Sequence, residues 1–211
     1  MKLIENQDYR WNVVKKDILS LKNHLGFTDT IQFLLLEMMD DGIILFYDPR
    51  TMSNHPVQNK ILSNNIRKIL FYYSQGDERY FPAAGTEVFT KISLLDDSMH
   101  LGCSTNQHRL ESEFRILFEK DQARMIAILE NYFGGIQARS GDISYRMQLL
   151  PMVEVLLVFN KGDEMPGDIA TDSCLSSSIT IFFEKNTIFF LPPNVCETLE
   201  EVFVTVVKWL F

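Results

Sequence analysis

The sequence has only three cysteines among its 211 residues. Cys103, Cys174 and Cys196 lie far apart, and no two of them form a Cys-x-x-Cys pair. A disulfide framework is therefore not expected, and the thiols cannot supply the four ligands of an iron–sulfur cluster. Cys103 with His100 and His108 is the nearest mixed set of metal-binding types, and it reads as a buried thiol beside two surface histidines. We expect no metal and no cofactor. No glycine-rich loop joins a strand to a helix, since Gly134-Gly135 follows a helical pattern instead of opening one, so a nucleotide-phosphate cradle is excluded. There is no Gly-x-Ser-x-Gly elbow; Ser176-Ser177-Ser178 is a polar run entering a strand, and the positions of His24, His55, His100 and His108 do not tell whether any of them meets a serine.

Long runs of one charge or of apolar residues are also missing. No basic run exceeds Lys15-Lys16 or Arg67-Lys68, and the formal net charge is -8. An acidic surface repels phosphate backbones and anionic headgroups, so neither nucleic acid nor membrane is expected as a partner. No apolar stretch reaches the ~20 residues of a membrane helix, and the first residues turn polar at once, unlike a signal peptide. With isolated thiols, these features point to the cytoplasm.

The apolar residues that are present form clear periods. Hydrophobic residues make up 46% of the chain and Phe alone contributes 16, enough for an aromatic-rich core. Trp11, Val14, Ile18, Leu21 and Leu25 recur at helical spacing and predict a first helix that ends at Gly26. Residues 30–39 and 43–47 flank Asp40-Asp41-Gly42 and predict a hairpin, with 54–58 as a loop. Ile61, Leu62, Ile66, Ile69, Leu70 and Tyr73 predict a second helix. Residues 87–94 suggest a strand, and 107–133 two helices that meet near Glu119-Lys120-Asp121. Residues 143–149 alternate as a half-buried strand, and 153–159 are apolar almost throughout, as in a central strand. Residues 178–183 and 187–191 suggest another hairpin. A final helix carries Val195, Leu199, Val202, Phe203, Val206 and Leu210 on one stripe, with Asn194 as N-cap and Glu197 reaching back to it. The expected fold is α+β, with a mainly antiparallel sheet and flanking amphipathic helices. The 211 residues read as one domain, with a division into lobes at about 1–105 and 106–211 as the alternative.

Several motifs of the second half belong together: Phe133-Gly134-Gly135, Asp142, Leu150-Pro151, the strand 155–159, Gly162-Asp163-Glu164, Pro166 and Leu191-Pro192. In this the chain resembles a bacterial and archaeal family known only as a domain of unknown function. Members of that family follow a proline-started apolar strand with a Gly-Asp-Glu turn and a nearby proline. The chain departs from the pattern at Met165, where the family tends to carry another acid, and by an extra polar stretch at about 167–175. Some relatives are fused to iron–sulfur-cluster domains and many occur in anaerobes. The resemblance thus implies a redox or corrinoid-linked setting for the family.

The candidate site is the acidic turn. Gly162, Asp163, Glu164, Pro166 and Asp168, with Asp172 beyond, place four carboxylates at the end of a buried strand, where hard cations or polar ligands can be held. The spacing is not that of a calcium-binding hand, and a solvated turn with Asp163 on local amides accounts for the same residues. The expected function is a non-catalytic binding or accessory protein of anaerobic metabolism, acting through a surface near the acidic turn, with a protein or small-molecule partner. The alternative is an enzyme or metal-dependent protein built around Asp163-Glu164. A tail as apolar as Trp209-Leu210-Phe211 has to be covered, either by the chain itself or by a second copy in a homodimer.

Overall fold

Strand pairing organises the molecule. The computed structural model describes residues 15–77, 79, 87–95, 104–162 and 177–211, side chains 104–106 excepted. The strands form two antiparallel sheets, and the helices stand beside them, an α+β fold.

The smaller sheet has the order β1 (Ile31–Phe33), β2 (Leu36–Met38), β3 (Ile44–Asp48), β4 (Ser53–Pro56). The expected hairpin at Asp41-Gly42 joins β2 to β3, with Gly42 at φ 87°. The run 30–39 is not one strand. It doubles back at Leu34 and Leu35, whose φ values of 49° and 60° give the two-residue turn that matches strand twist. Residues 54–58, expected as a loop, instead supply the edge strand β4, where Pro56 lies opposite Leu45. Proline is tolerated there because an edge strand has one side with no ladder to break.

The larger sheet has the order β5 (Phe89–Thr90), β9 (Ser178–Glu184), β8 (Val153–Asn160), β7 (Ile143–Leu150), β6 (Ile136–Gln137). The apolar strand β8 is the third of these five, as its composition predicts. Val153, Val155, Leu157 and Phe159 of β8 are buried, as are Tyr145, Met147 and Leu149 of β7 and Ile179, Ile181 and Phe183 of β9. The strand expected over 87–94 shrinks to β5 and a 3-10 turn, Ile92–Leu94. Residues 187–191, expected as a strand, are mostly a 3-10 turn, Lys185–Phe189. The Glu184 carboxylate caps this turn at the Asn186 amide, and the Phe190 and Leu191 amides bond back to the Thr187 carbonyl.

Among the helices, α1 is described at residues 15–19; Trp11 and Val14 lie outside the described residues. The predicted continuation to Leu25 is a series of turns, in which the Leu21, His24 and Phe27 amides each bond the carbonyl three residues back. Ile18, Leu21 and Leu25 are nonetheless all buried, so turns deliver the spacing that suggested a helix. Gly26 (φ 80°) then passes so close to Pro151 that a side chain there would collide with it. Helix α2 (Lys60–Tyr73) starts on Asn59, whose side chain accepts the Ile61 and Leu62 amides. Helices α3 (Ser104–Lys120) and α4 (Gln122–Phe133) meet at Asp121, the N-cap of α4, and α4 ends on left-handed Gly134.

The last helix, α5 (Pro193–Leu210), begins on Pro193, not on an Asn194 cap; its N-cap Pro192 makes no side-chain bond. Proline suits the first helical position because that amide has no partner inside the helix. The predicted stripe is buried, and so are Val204 and Val207 on other faces. The helix packs chiefly against α2 and α3. Phe203 lies 5.4 Å from the Phe114 ring of α3 and 5.1 Å from the Phe133 ring of α4. The Trp209 ring meets Phe46 of β3 at 4.7 Å, so at least one face of it is covered within the chain. Tyr73, fully buried, ties three segments together. Its hydroxyl donates to the Leu25 carbonyl (3.0 Å) and accepts the Met152 amide (2.9 Å). No helix among the described residues is long and apolar enough to cross a membrane.

Candidate functional site

Of the acidic turn, Gly162 is described, half-buried two residues past the end of β8. Asp163, Glu164, Pro166 and Asp168 lie outside the described residues, as do Asp172, His100 and Cys103. At the edge of that turn the Lys161 amide donates to the Asp142 carboxylate at 2.6 Å, which brings one more acid to this end of the strand. His108 is exposed, and its ring lies 3.7 Å from Glu111. No group of three or more His, Cys, Asp or Glu side chains is placed to hold a metal ion among the described residues.

A cleft of about 270 Å³ opens elsewhere, lined by Phe46, Arg50, His55, Pro56, Val57, Gln58, Asn59 and Trp209. Three elements build it. Strand β3 supplies Phe46, and the β3–β4 hairpin with its exit into α2 supplies Arg50 and residues 55–59. The end of α5 supplies Trp209. The aromatic wall is the Phe46–Trp209 pair, inclined at 64°. Convergent polar groups beside apolar walls are the usual composition of a small-molecule site.

The hairpin chemistry is specific. Arg50 grips Asp48 in a fork, with Nε to Oδ1 at 3.0 Å and Nη2 to Oδ2 at 2.9 Å, and its own amide donates to Oδ1 at 2.9 Å. The guanidinium bonds hold the Asp48 carboxyl down at about 2, and Asp48 in turn raises the Arg50 value. Along β4, Thr51 Oγ1, Ser53 Oγ and His55 Nε2 form a chain with steps of 2.7 and 2.9 Å. Ser53 with His55 is therefore a serine–histidine contact that sequence spacing alone did not reveal. It lacks the third group of a nucleophile–base system, because both oxygens of neighbouring Asp48 are engaged by Arg50. Ser53 does not line the cleft. Of the serine run read from the sequence, Ser177 bonds Glu119 and Ser178 is exposed.

A second polar constellation occupies the outer face of the larger sheet. Arg146 forks onto Glu154 at 2.9 and 2.8 Å, lies 3.4 Å from Glu87, and stacks 5.3 Å from the Phe89 ring. Glu184 on the same face is buried, and burial raises its pKa against the pull of the Asn186 and Val88 amides. These groups satisfy one another and brace the β5 edge. A third group is interior. Glu200 of α5 has no solvent exposure, and neither oxygen has a hydrogen-bond partner among the described residues. Burial, then the charges of Glu111 and Glu197, push its carboxyl up to about 9.

Sequence reasoning missed the cleft because Phe46, His55 and Trp209 are far apart in the chain. The available signal was Trp209 itself, a large side chain standing off the buried stripe of its helix. No curated protein and no solved structure matches this chain. A domain of unknown function (DUF3786) matches residues 34–206. The match starts in the β1–β2 turn, encloses every strand from β2 onward and most of α5, and stops just short of Trp209. Since it spans most of the chain, this protein belongs to the DUF3786 family.

Proposed function

We propose that the chain is a non-catalytic binding or accessory protein and that its ligand is a small molecule seated between the β3–β4 hairpin and the end of α5. One observation carries the reading: the cleft joins an aromatic wall, Phe46 and Trp209, to the polar groups of Arg50, His55, Gln58 and Asn59. The groups nearby that could do chemistry are spent on one another, Asp48 on Arg50 and Ser53 on Thr51 and His55. The resemblance to proteins of anaerobes, some fused to iron–sulfur domains, supports a cytoplasmic place beside redox metabolism. Saturation-transfer NMR with a pool of small molecules tests the reading. Bound members should lose their signal in Trp209→Ala. Hits that persist in that variant, or no hits at all, count against it.

A second reading makes the protein an enzyme or metal-dependent protein with its site at the acidic turn of Gly162, Asp163, Glu164, Pro166 and Asp168. The observation favouring it is Asp142, held at the same strand end through Lys161.

A further inference from the structure

We propose that the cleft of Phe46, Arg50, His55 and Trp209 selects a small organic anion, a single planar apolar body carrying one carboxylate or an equivalent acid group. This inference rests on the binding reading above and adds the chemical class.

The sign of the charge comes from the lining. The chain carries 28 acidic and 20 basic residues, yet Arg50 and His55 stand in this cleft with no acid among the lining residues. Two other surface clefts are different. One includes Glu37, and the other includes Asp40 and Asp41 beside Lys22. Because the net charge is -8, long-range attraction cannot recruit an anion, and local groups have to do it. Arg50 is the more accessible member of its pair with Asp48, with 46% of its side chain exposed against 11% for Asp48. The fork fixes the guanidinium and leaves Nη1 outside the pair.

Donors are available in suitable places. Arg50 uses Nε and Nη2 on Asp48, and Nη1 has no partner among the described residues. His55 uses Nε2 on Ser53, which leaves Nδ1 for a ligand. Gln58 and Asn59 line the cleft where α2 begins, so the positive end of that helix dipole adds to the same sign. A guanidinium held flat by its own carboxylate is pre-organised for a second planar acid.

Size and shape come from the apolar residues. About 270 Å³ lies just below the roughly 300 Å³ at which small-molecule sites usually begin. That volume seats one ring with its acid group. Phe46, Pro56, Val57 and Trp209 supply the surfaces for the ring.

The experiment uses the whole chain labelled with nitrogen-15. It has two tryptophans, and the Trp209 indole signal is assigned by its loss in Trp209→Phe. Benzoate, benzyl alcohol and benzylammonium are titrated separately. The expected result is a saturable shift of the Trp209 signal with benzoate, and binding about tenfold weaker for the alcohol, the value of a hydrogen bond to a charged group. The double variant Asp48→Asn with Arg50→Gln removes both charges together and strands neither. It should bring benzoate down to the level of the alcohol while leaving the alcohol unchanged. If the alcohol or the ammonium probe binds as tightly as benzoate, the anion inference is overturned while the binding cleft stands. If no probe moves the Trp209 signal, both are overturned.

Discussion

Replacing Glu200 by Gln should stabilise the protein, and by an amount that depends on pH. The wild-type carboxyl is fully buried and unpartnered, with a pKa pushed from 4.5 to about 9. The charged groups that act on it are Glu111 on α3 and Glu197 one turn away on α5. On the α2 side Lys68 is engaged by Thr198. The folded chain keeps a proton that the unfolded chain releases above its ordinary value. The contribution of this group is therefore fully present below 4.5 and is lost as pH rises through about 9. Each pH unit in that window removes about 1.4 kcal/mol, so neutral Gln of similar shape gains about 3 kcal/mol over Glu at pH 7 and almost nothing at pH 4.5. Urea unfolding of both proteins at pH 5, 6, 7 and 8 isolates the term, because every other titration is common to the pair and cancels in the difference. A difference that stays constant with pH, or a Gln variant that loses ground as pH rises, would refute the reasoning and mean that Glu200 is ionised and paired in the folded state.

Two further outcomes are expected. Tyr73→Phe removes the hydroxyl shared by Leu25 and Met152; it should lower unfolding stability by about 1–3 kcal/mol, and an unchanged urea midpoint would show that those groups find other partners. If the acidic turn is a metal site, manganese(II) seen by electron paramagnetic resonance should bind stoichiometrically and be lost in Asp163→Asn with Glu164→Gln; absence of binding by the unmodified protein ends that second reading.

Much of the fold was legible because its signals were local. Gly42 and Gly134 adopt the positive φ that the sequence assigns to them. The spacing of Leu62, Ile66, Ile69 and Tyr73 in α2 is read from a few neighbouring residues, and the apolar run of β8 fits a covered strand. The failures have physical causes as well. Leu34 and Leu35 turn the chain although leucine has no preference for that backbone, so tertiary packing decides it. Residues 187–191 are β-branched and aromatic like a strand, but a Glu184 cap and the Thr187 carbonyl wind them into a turn. Asn194 looked like a cap, yet Pro193 one position earlier already fits the helix start. The cleft was illegible because its walls come from opposite ends of the chain, and no pattern within one segment reports such a meeting.

The position of α5 between α2 and α3 also has a consequence for biosynthesis. Asn65 reaches Glu201 across 136 residues, and Lys68 reaches Thr198 across 130. At about 5–20 residues per second, a ribosome finishes α2 on the order of ten seconds before α5 emerges. Through that interval α2 has no α5 to pack against, and the aromatic face of α3 with Phe114 waits as well. The nascent chain thus carries an open apolar seat that its own later segment must fill. A message cut short before residue 193 yields a product that depends on chaperone holding or precipitates.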